Sequence, residues 1–234
     1  MKKMYEGKAK ILFDDGVEGT LIQKFKDSAT AFNAKKKDEF DGKGVLNRKI
    51  SELMFGYLEG HGIKTHFVEN LDERSDRVRS VEILKLEVVV RNRSAGSFCR
   101  RYAAPKNITF TPCLFELYLK EDELDDPQIT EDSALALELI NKDQLEHVRE
   151  TTLKINELMK DLFLKIGFIL VDYKLEFGKT SDGEIILADE ISPDTMRLWD
   201  PETLDSYDKD LFREDTGDLL VGYREVLKRL QEQL

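Results

Sequence analysis

Phe168–Trp199, FILVDYKLEFGKTSDGEIILADEISPDTMRLW, decides the reading of this chain. Residues Phe168 to Phe177 alternate: Asp172, Lys174 and Glu176 fall on one face of a strand, and Val171, Tyr173, Leu175 and Phe177 on the other. A turn through Lys179–Gly183 predicts a second strand, Glu184–Ile191, folded back against the first. That hairpin sets Asp189 opposite Glu176 and on the same face. Two carboxylates from neighbouring strands with a lysine beside them suit a magnesium ion that holds nucleotide phosphates. Hard oxygens ligate the metal, and a point positive charge helps to hold the phosphates. A strand face laced with salt bridges is the plainer reading of the same residues. The run Asp189-Glu190-Ile191-Ser192-Pro193-Asp194, following at once inside an otherwise apolar pairing, favours the metal.

Outward from this hairpin, composition bounds the answer. A chain of 234 residues suffices for one large domain or two small ones. Its net charge of −11 argues against nucleic acid or an anionic membrane as the main partner. No long apolar run suggests a membrane span or a signal peptide. Positive charge is nevertheless gathered locally, at Lys8 with Lys10, Lys35–Lys37, Arg91 with Arg93, and Arg100 with Arg101. Basic clusters inside an acidic protein suggest a bound small anion, although Lys35–Lys37 reads equally well as solvated surface. Cys99 and Cys113 make neither a metal spacing nor a disulfide framework, so a reducing cytoplasm fits. His61, His66 and His147 are scattered and read as surface or packing; a zinc site is not expected.

Along the chain, Met4–Phe13 reads as two short strands around Gly7, with Lys8 and Lys10 on one side and Ala9, Ile11 and Phe13 on the other. Such a glycine hairpin can lie over phosphates, although an ordinary hairpin has the same sequence. Asp14–Gly19 is a turn and Thr20–Phe25 a strand. The polar segment from Asp27 to Gly44 looks like a loop able to close over a ligand. Asn47–Glu59 has helical spacing, ended by Gly60 and Gly62. Lys64–Glu69, Arg77–Leu84 and Glu87–Val90 read as strands, and Val81–Val90 would run along the back of a nucleotide pocket and out between two lobes. Arg91-Asn92-Arg93-Ser94-Ala95-Gly96-Ser97 sets two arginines beside small residues, a compact anion cradle. Leu114–Leu119 is a strand and Lys120–Pro127 an acidic loop. Thr130–Leu139, Asp143–Ile166, Thr203–Phe212 and Asp218–Leu230 read as helices, with Lys209 and Arg213 on the surface.

Taken together these residues resemble a known family. Asp172-Tyr173-Lys174-Leu175-Glu176-Phe177-Gly178, followed by Asp189-Glu190-Ile191-Ser192-Pro193-Asp194 and Arg197-Leu198-Trp199, is similar to the paired signature of the SAICAR synthetases. The resemblance extends to Gly7-Lys8-Ala9-Lys10, to Val89–Ser97 and to Leu119-Lys120 with Asp126-Pro127, in the same order and over nearly the whole chain. One departure is Thr195-Met196 before Arg197, where the family usually has a small residue and then serine.

The resemblance implies an α+β, two-lobed fold of the kinase-like and ATP-grasp-like kind. A small antiparallel β lobe (residues 1–86) and a larger α+β lobe (residues 87–234) would hold ATP in the cleft between them. It implies that ATP activates the carboxylate of carboxyaminoimidazole ribonucleotide (CAIR) for attack by L-aspartate, giving SAICAR, ADP and phosphate. By resemblance Lys8, Ala9 and Lys10 approach the ATP phosphates, Val81, Glu82, Ile83 and Leu84 meet the adenine, and Lys120 touches the ribose. Glu176 and Asp189 hold Mg2+, and Lys174 and Asp172 flank the reacting carboxylate. Arg91, Ser97 and Arg197 bind the ribonucleotide, chiefly through its phosphate, and the aspartate subsite is expected near Asp194 and the Asp27–Gly44 loop. A cytoplasmic homodimer is the family expectation. A small-molecule kinase would share the cleft and the metal pair, but no His-Arg-Asp…Asn catalytic loop occurs. A non-catalytic nucleotide-binding module would leave the Arg91–Ser97 cradle without a task.

Overall fold

Alternation and glycine turns build the first sheet. In the computed structural model, which describes residues 1–31 and 36–234, β1 (Lys2–Glu6), β2 (Lys10–Asp14) and β3 (Thr20–Phe25) form an antiparallel meander. Gly7 turns the first hairpin, its N–H donating to the Lys10 carbonyl at 2.9 Å. β4 (Ser28–Ala31) and β5 (Lys36–Glu39) pair as a separate hairpin within the segment expected to be a loop. The lysine run Lys35–Lys37 begins among residues 32–35, outside the described residues. Helix α1 (Lys43–Gly60) starts earlier than its apolar spacing suggests. β6 (Phe67–Asn70) and β7 (Ser75–Arg79) complete a five-stranded sheet in the order β1-β2-β3-β7-β6.

The strand expected across Arg77–Leu84 is broken after Arg79, and β8 (Glu82–Arg93) belongs to a second sheet. After α2 (Gly96–Tyr102) come β9 (Thr109–Leu119), a 3₁₀ turn at Asp122–Leu124, β10 (Gln128–Ile129), α3 (Glu131–Ala136) and α4 (Lys142–Lys165). The start of α4 is fixed by a capping box: the Asn141 side chain accepts from the Gln144 N–H, and the Gln144 side chain accepts from the Asn141 N–H. β11 (Ile169–Lys179) is the central strand. It pairs with β8 on one side, and on the other with β12 (Ile185–Ala188) and β13 (Met196–Trp199). The order is β10-β9-β8-β11-β12, all antiparallel.

One face of this sheet carries the core. Val148, Ile155, Met159, Leu162 and Phe163 of α4 pack on Val88, Val90, Tyr173 and Leu175, and Ile50, Met54 and Leu58 of α1 join the same cluster. α1 packs also against α6 (Leu219–Gln233), which is capped by Asp218. The division drawn at residues 86/87 falls inside β8, and α1 shares its core with the later sheet. His66 is packing: buried edge-on to Phe55, it is held neutral because burial, helped by Lys10, pushes its pKa to about 3.

Two expectations, one in the signature hairpin and one after it, are corrected. β12 ends at Ala188, which is the residue paired with Glu176; Asp189 lies one step beyond. Asp189 takes a left-handed backbone, φ 65°, which carries it off the strand. The helix expected over Thr203–Phe212 is confined to α5 (Asp210–Arg213). Upstream of it Leu204 takes a left-handed backbone, φ 63°, and Ser206 forms an antiparallel bridge with Trp199, so the chain does not wind into a helix there. Asp200 accepts from Glu202 and Thr203 at 2.8 and 3.0 Å, and Asp208 accepts from Leu198 and Asp210 at 2.9 and 2.7 Å.

Candidate active site

The face of the sheet opposite the core is charged across three strands. The register pairs Asp172 with Arg91, Lys174 with Val89 and Glu176 with Glu87, and β9 adds Glu116 and Tyr118 opposite Val89 and Glu87. Period-2 alternation therefore lines up Glu116 and Tyr118, then Glu87 and Arg91, then Asp172, Lys174 and Glu176. Glu87 and Glu176 stand directly opposite each other, like charges that would repel. Lys174 resolves this by donating to both, at 2.8 and 2.7 Å.

Glu176 is buried, and its second oxygen accepts from Lys120 at 2.6 Å. Burial raises its pKa, but Lys174 and then Lys120 outweigh burial and bring it to about 2. Burial likewise opposes charge on Lys174, yet Glu176 and Glu87 raise its pKa well above the ordinary lysine value. On the neighbouring loop Lys10 bonds both Asp189 and Glu190. Burial leaves its pKa lowered in spite of Glu190. Lys10, Lys120, Lys174, Glu176 and Asp189 thus converge as expected, with Glu87 and Glu190 as members that the sequence reading missed. Alternation with Arg91 was the signal for Glu87.

Among the described residues no group of three or more His, Cys, Asp or Glu gathers to hold a metal. Magnesium does not need one, since it keeps waters and takes one or two carboxylates together with substrate phosphates. An ionised Glu176 beside Asp189 fits that chemistry, with lysines neutralising both carboxylates here.

Further along β11 lies the arginine cradle. Arg91 donates to Glu116 at 2.8 Å, Asp172 at 2.7 Å, Ser97 at 3.1 Å and the Tyr118 hydroxyl at 3.2 Å. Arg197, paired with Asp172 across β13, donates to it at 3.0 Å and to Asp210 at 2.7 Å. Burial weighs against charge on both arginines; Asp172 with Glu116, and Asp172 with Asp210, overcome it and raise the pKa of each. Gly96 is required for close approach. Its φ is 51°, and a Cβ there would lie 2.4 Å from Arg197 Nη2. Gly96→Ala is expected to push Arg197 off Asp172 and to cost about 1–3 kcal/mol. An unchanged urea midpoint would show that the guanidinium has room to move.

Asp194 lies deeper. It accepts from Lys43, from Asn47 at 2.9 Å and from Tyr223 at 2.6 Å, with Lys209 at 3.8 Å. Burial raises its pKa, but Lys209 and Lys43 overcome this and hold it below the usual carboxylate range. Lys209 and Arg213, expected at the surface, instead turn inward, Arg213 donating to Asp210 at 2.6 Å. Lys43 is fully buried, which a lysine flanked by Gly42 and Gly44 does not announce.

The remaining expected residues lie around the cluster. Lys8 is exposed and donates to Asp122 at 2.6 Å, and the Ala9 carbonyl accepts from the Lys26 N–H at 2.8 Å. Glu82 and Ile83 pair with Lys179 and Gly178, and Leu84 packs on the main core. Val81 lies over Gly178 so closely that a Cβ there would stand 2.4 Å from it.

The SAICAR synthetase family model matches residues 3–230. A phosphoribosylaminoimidazole-succinocarboxamide synthase of Finegoldia magna is 51% identical over 231 residues, covering 99% of this chain and 100% of that relative. The crystal structure of the synthase of the same name from Ehrlichia chaffeensis superposes with a TM-score of 0.96 at 43% identity, covering 98% of each chain. A SAICAR synthetase solved in complex with ADP superposes at 0.93 with 48% identity, covering 97% of this chain and 96% of that one.

Proposed function

This chain belongs to the SAICAR synthetase family, and on that premise we propose how its residues carry out the family reaction. The protein is an ATP-dependent carbon–nitrogen ligase of purine biosynthesis that joins L-aspartate to CAIR, giving SAICAR, ADP and phosphate. The observation that carries the reading is the charged sheet face, on which the lysine–carboxylate cluster and the arginine cradle share β11 and meet at Asp172.

A carboxylate is a poor electrophile, because amide formation would have to expel an oxide. In the proposed path a CAIR carboxylate oxygen attacks the γ-phosphorus and the bond to ADP breaks. The aspartate amine then attacks the acyl carbon, phosphate leaves, and the ammonium proton passes to a base. The protein positions the reactants and neutralises charge. ATP lies between the lobes, residues 1–86 and 87–234, with Val81, Glu82, Ile83 and Leu84 beside the adenine and Lys120 near the ribose. Lys8, Ala9 and Lys10 approach its phosphates. Glu176 and Asp189 would hold Mg2+, which when bound draws charge from the phosphate oxygens. Lys174 and Asp172 flank the reacting carboxylate, and Arg91, Ser97 and Arg197 hold the CAIR phosphate. Asp194, enclosed by its own partners, acts through Lys43 and Lys209 in shaping the aspartate subsite. The enzyme is proposed to be a cytoplasmic homodimer; no helix among the described residues is long and apolar enough to cross a membrane.

ADP release with ATP and magnesium, omitting CAIR or L-aspartate in turn, tests the reading. Turnover is expected to need both, with one SAICAR formed per ADP. Release with neither would indicate a kinase or ATPase, and tight nucleotide binding without release a non-catalytic module.

A further inference from the structure

The reaction brings three anionic substrates together, and two have cations already assigned: ATP at Lys8 and Lys10, and the CAIR phosphate at Arg91 and Arg197. The third, L-aspartate, carries two carboxylates. Around Arg91, Arg197 and Arg213 each guanidinium donates to a carboxylate within ordinary hydrogen-bond distance. Lys43 also donates to a carboxylate, that of Asp194. Lys209 does not. Among the described residues its only carboxylate neighbour within salt-bridge range is Asp194, at 3.8 Å, beyond hydrogen-bond reach. The oxygen it faces already accepts from Tyr223, and the other accepts from Lys43 and Asn47. One negative charge is therefore shared between two lysines, and the surplus positive charge rests on Lys209.

Its placement follows from the backbone. The Lys209 N–H donates to Pro193 O at 3.1 Å, and the Tyr207 N–H donates to Leu198 O at 2.9 Å. The segment thus runs beside β13, which carries Arg197, and against the turn that follows Asp189 and Glu190. The charged groups acting on the ammonium are Asp194, Lys43, Arg213 and Glu190; burial dominates and lowers its pKa, as for a cation without a close counter-ion. The side chain is 13% exposed, so a small anion can reach it.

We propose that Lys209 makes the cationic contact to a carboxylate of L-aspartate. The proposal rests on the ligase reading above. An aspartate held there would lie between Arg213, a second cation, and Glu190, an acceptor for its ammonium group. Asp194, held by Tyr223, Lys43 and Asn47, then serves as the positioning residue for Lys209.

Steady-state kinetics with Lys209→Met test this, each substrate being varied with the other two saturating. The expected result is a rise in the KM for L-aspartate of about tenfold or more, with the KM values for CAIR and ATP within about twofold, and partial recovery in Lys209→Arg. An unchanged aspartate KM, or an equal rise in the CAIR KM, overturns the proposal. Lys209→Gln is read by the same criteria if the methionine variant does not fold. SAICAR formation by the unsubstituted protein is measured alongside. Its absence would remove the ligase reading itself, whereas SAICAR formation with an unaltered Lys209→Met removes only the role of Lys209.

Discussion

Glu176→Gln is expected to abolish magnesium-dependent ADP release, by a factor on the order of 10³ or more, while leaving a folded protein. The substitution keeps shape and hydrogen-bonding capacity but removes the negative charge on which the proposed metal contact depends. The lysines keep other acceptors in part, since Lys174 still has Glu87. Stability should nevertheless fall. Glu176 is ionised in the fold with a pKa of about 2 against an ordinary 4.5. A depressed carboxylate contributes stability above its unfolded pKa and loses it as pH falls toward the folded one. The contribution, about 3 kcal/mol gross, is therefore complete near pH 5 and above and fades between roughly pH 4.5 and 2. Acid unfolding of Glu176→Gln should be correspondingly flatter over that range. Asp189→Asn is the companion variant, because asparagine tolerates the left-handed backbone at this position better than alanine would. Full activity in either variant would refute the metal assignment.

Arg91→Ala is expected to raise the KM for CAIR by about two orders of magnitude with the KM for ATP nearly unchanged. Arg91 is the hub of the cradle and touches Glu116, Asp172, Ser97 and Tyr118 at once. Its removal also strips a counter-ion from two buried carboxylates, so a loss of about 3 kcal/mol or more in denaturant unfolding should accompany the kinetic effect. Arg91→Lys separates the two consequences. It keeps the charge but not the planar fork, so most of the stability should return while CAIR binding stays weak. A rise confined to the KM for ATP would instead place the cradle in the nucleotide site.

Much of this was legible before any tertiary structure. Thr20–Phe25 was read to its boundaries, and the alternation of Phe168–Phe177 located the central strand, because a period of two is written directly into a chain that separates apolar from charged residues. Arg91 to Ser97 reads as an anion cradle from residue types alone, and the structure brings Arg91 and Ser97 into contact at 3.1 Å. What failed did so for local reasons. The composition of Thr203–Phe212 permits a helix throughout, but only its last residues form one. The competition came from the left-handed backbone at Leu204 and the bridge of Ser206 to Trp199, which periodicity does not register.

The sequence by itself determined the α+β character, the central hairpin and the family, because each rests on the order and spacing of a few neighbouring residues. Only the tertiary structure decided that Ala188 and not Asp189 faces Glu176, that Glu87, Glu116 and Tyr118 complete the charged face, and that Lys43 and Lys209 surround a buried Asp194. Those facts depend on strand register and on contacts between residues more than a hundred positions apart. A lysine's sequence neighbours say nothing of whether a distant carboxylate will be buried beside it. Burial and Coulomb energy belong to the assembled fold, and they decide which charges are satisfied and which remain for a substrate.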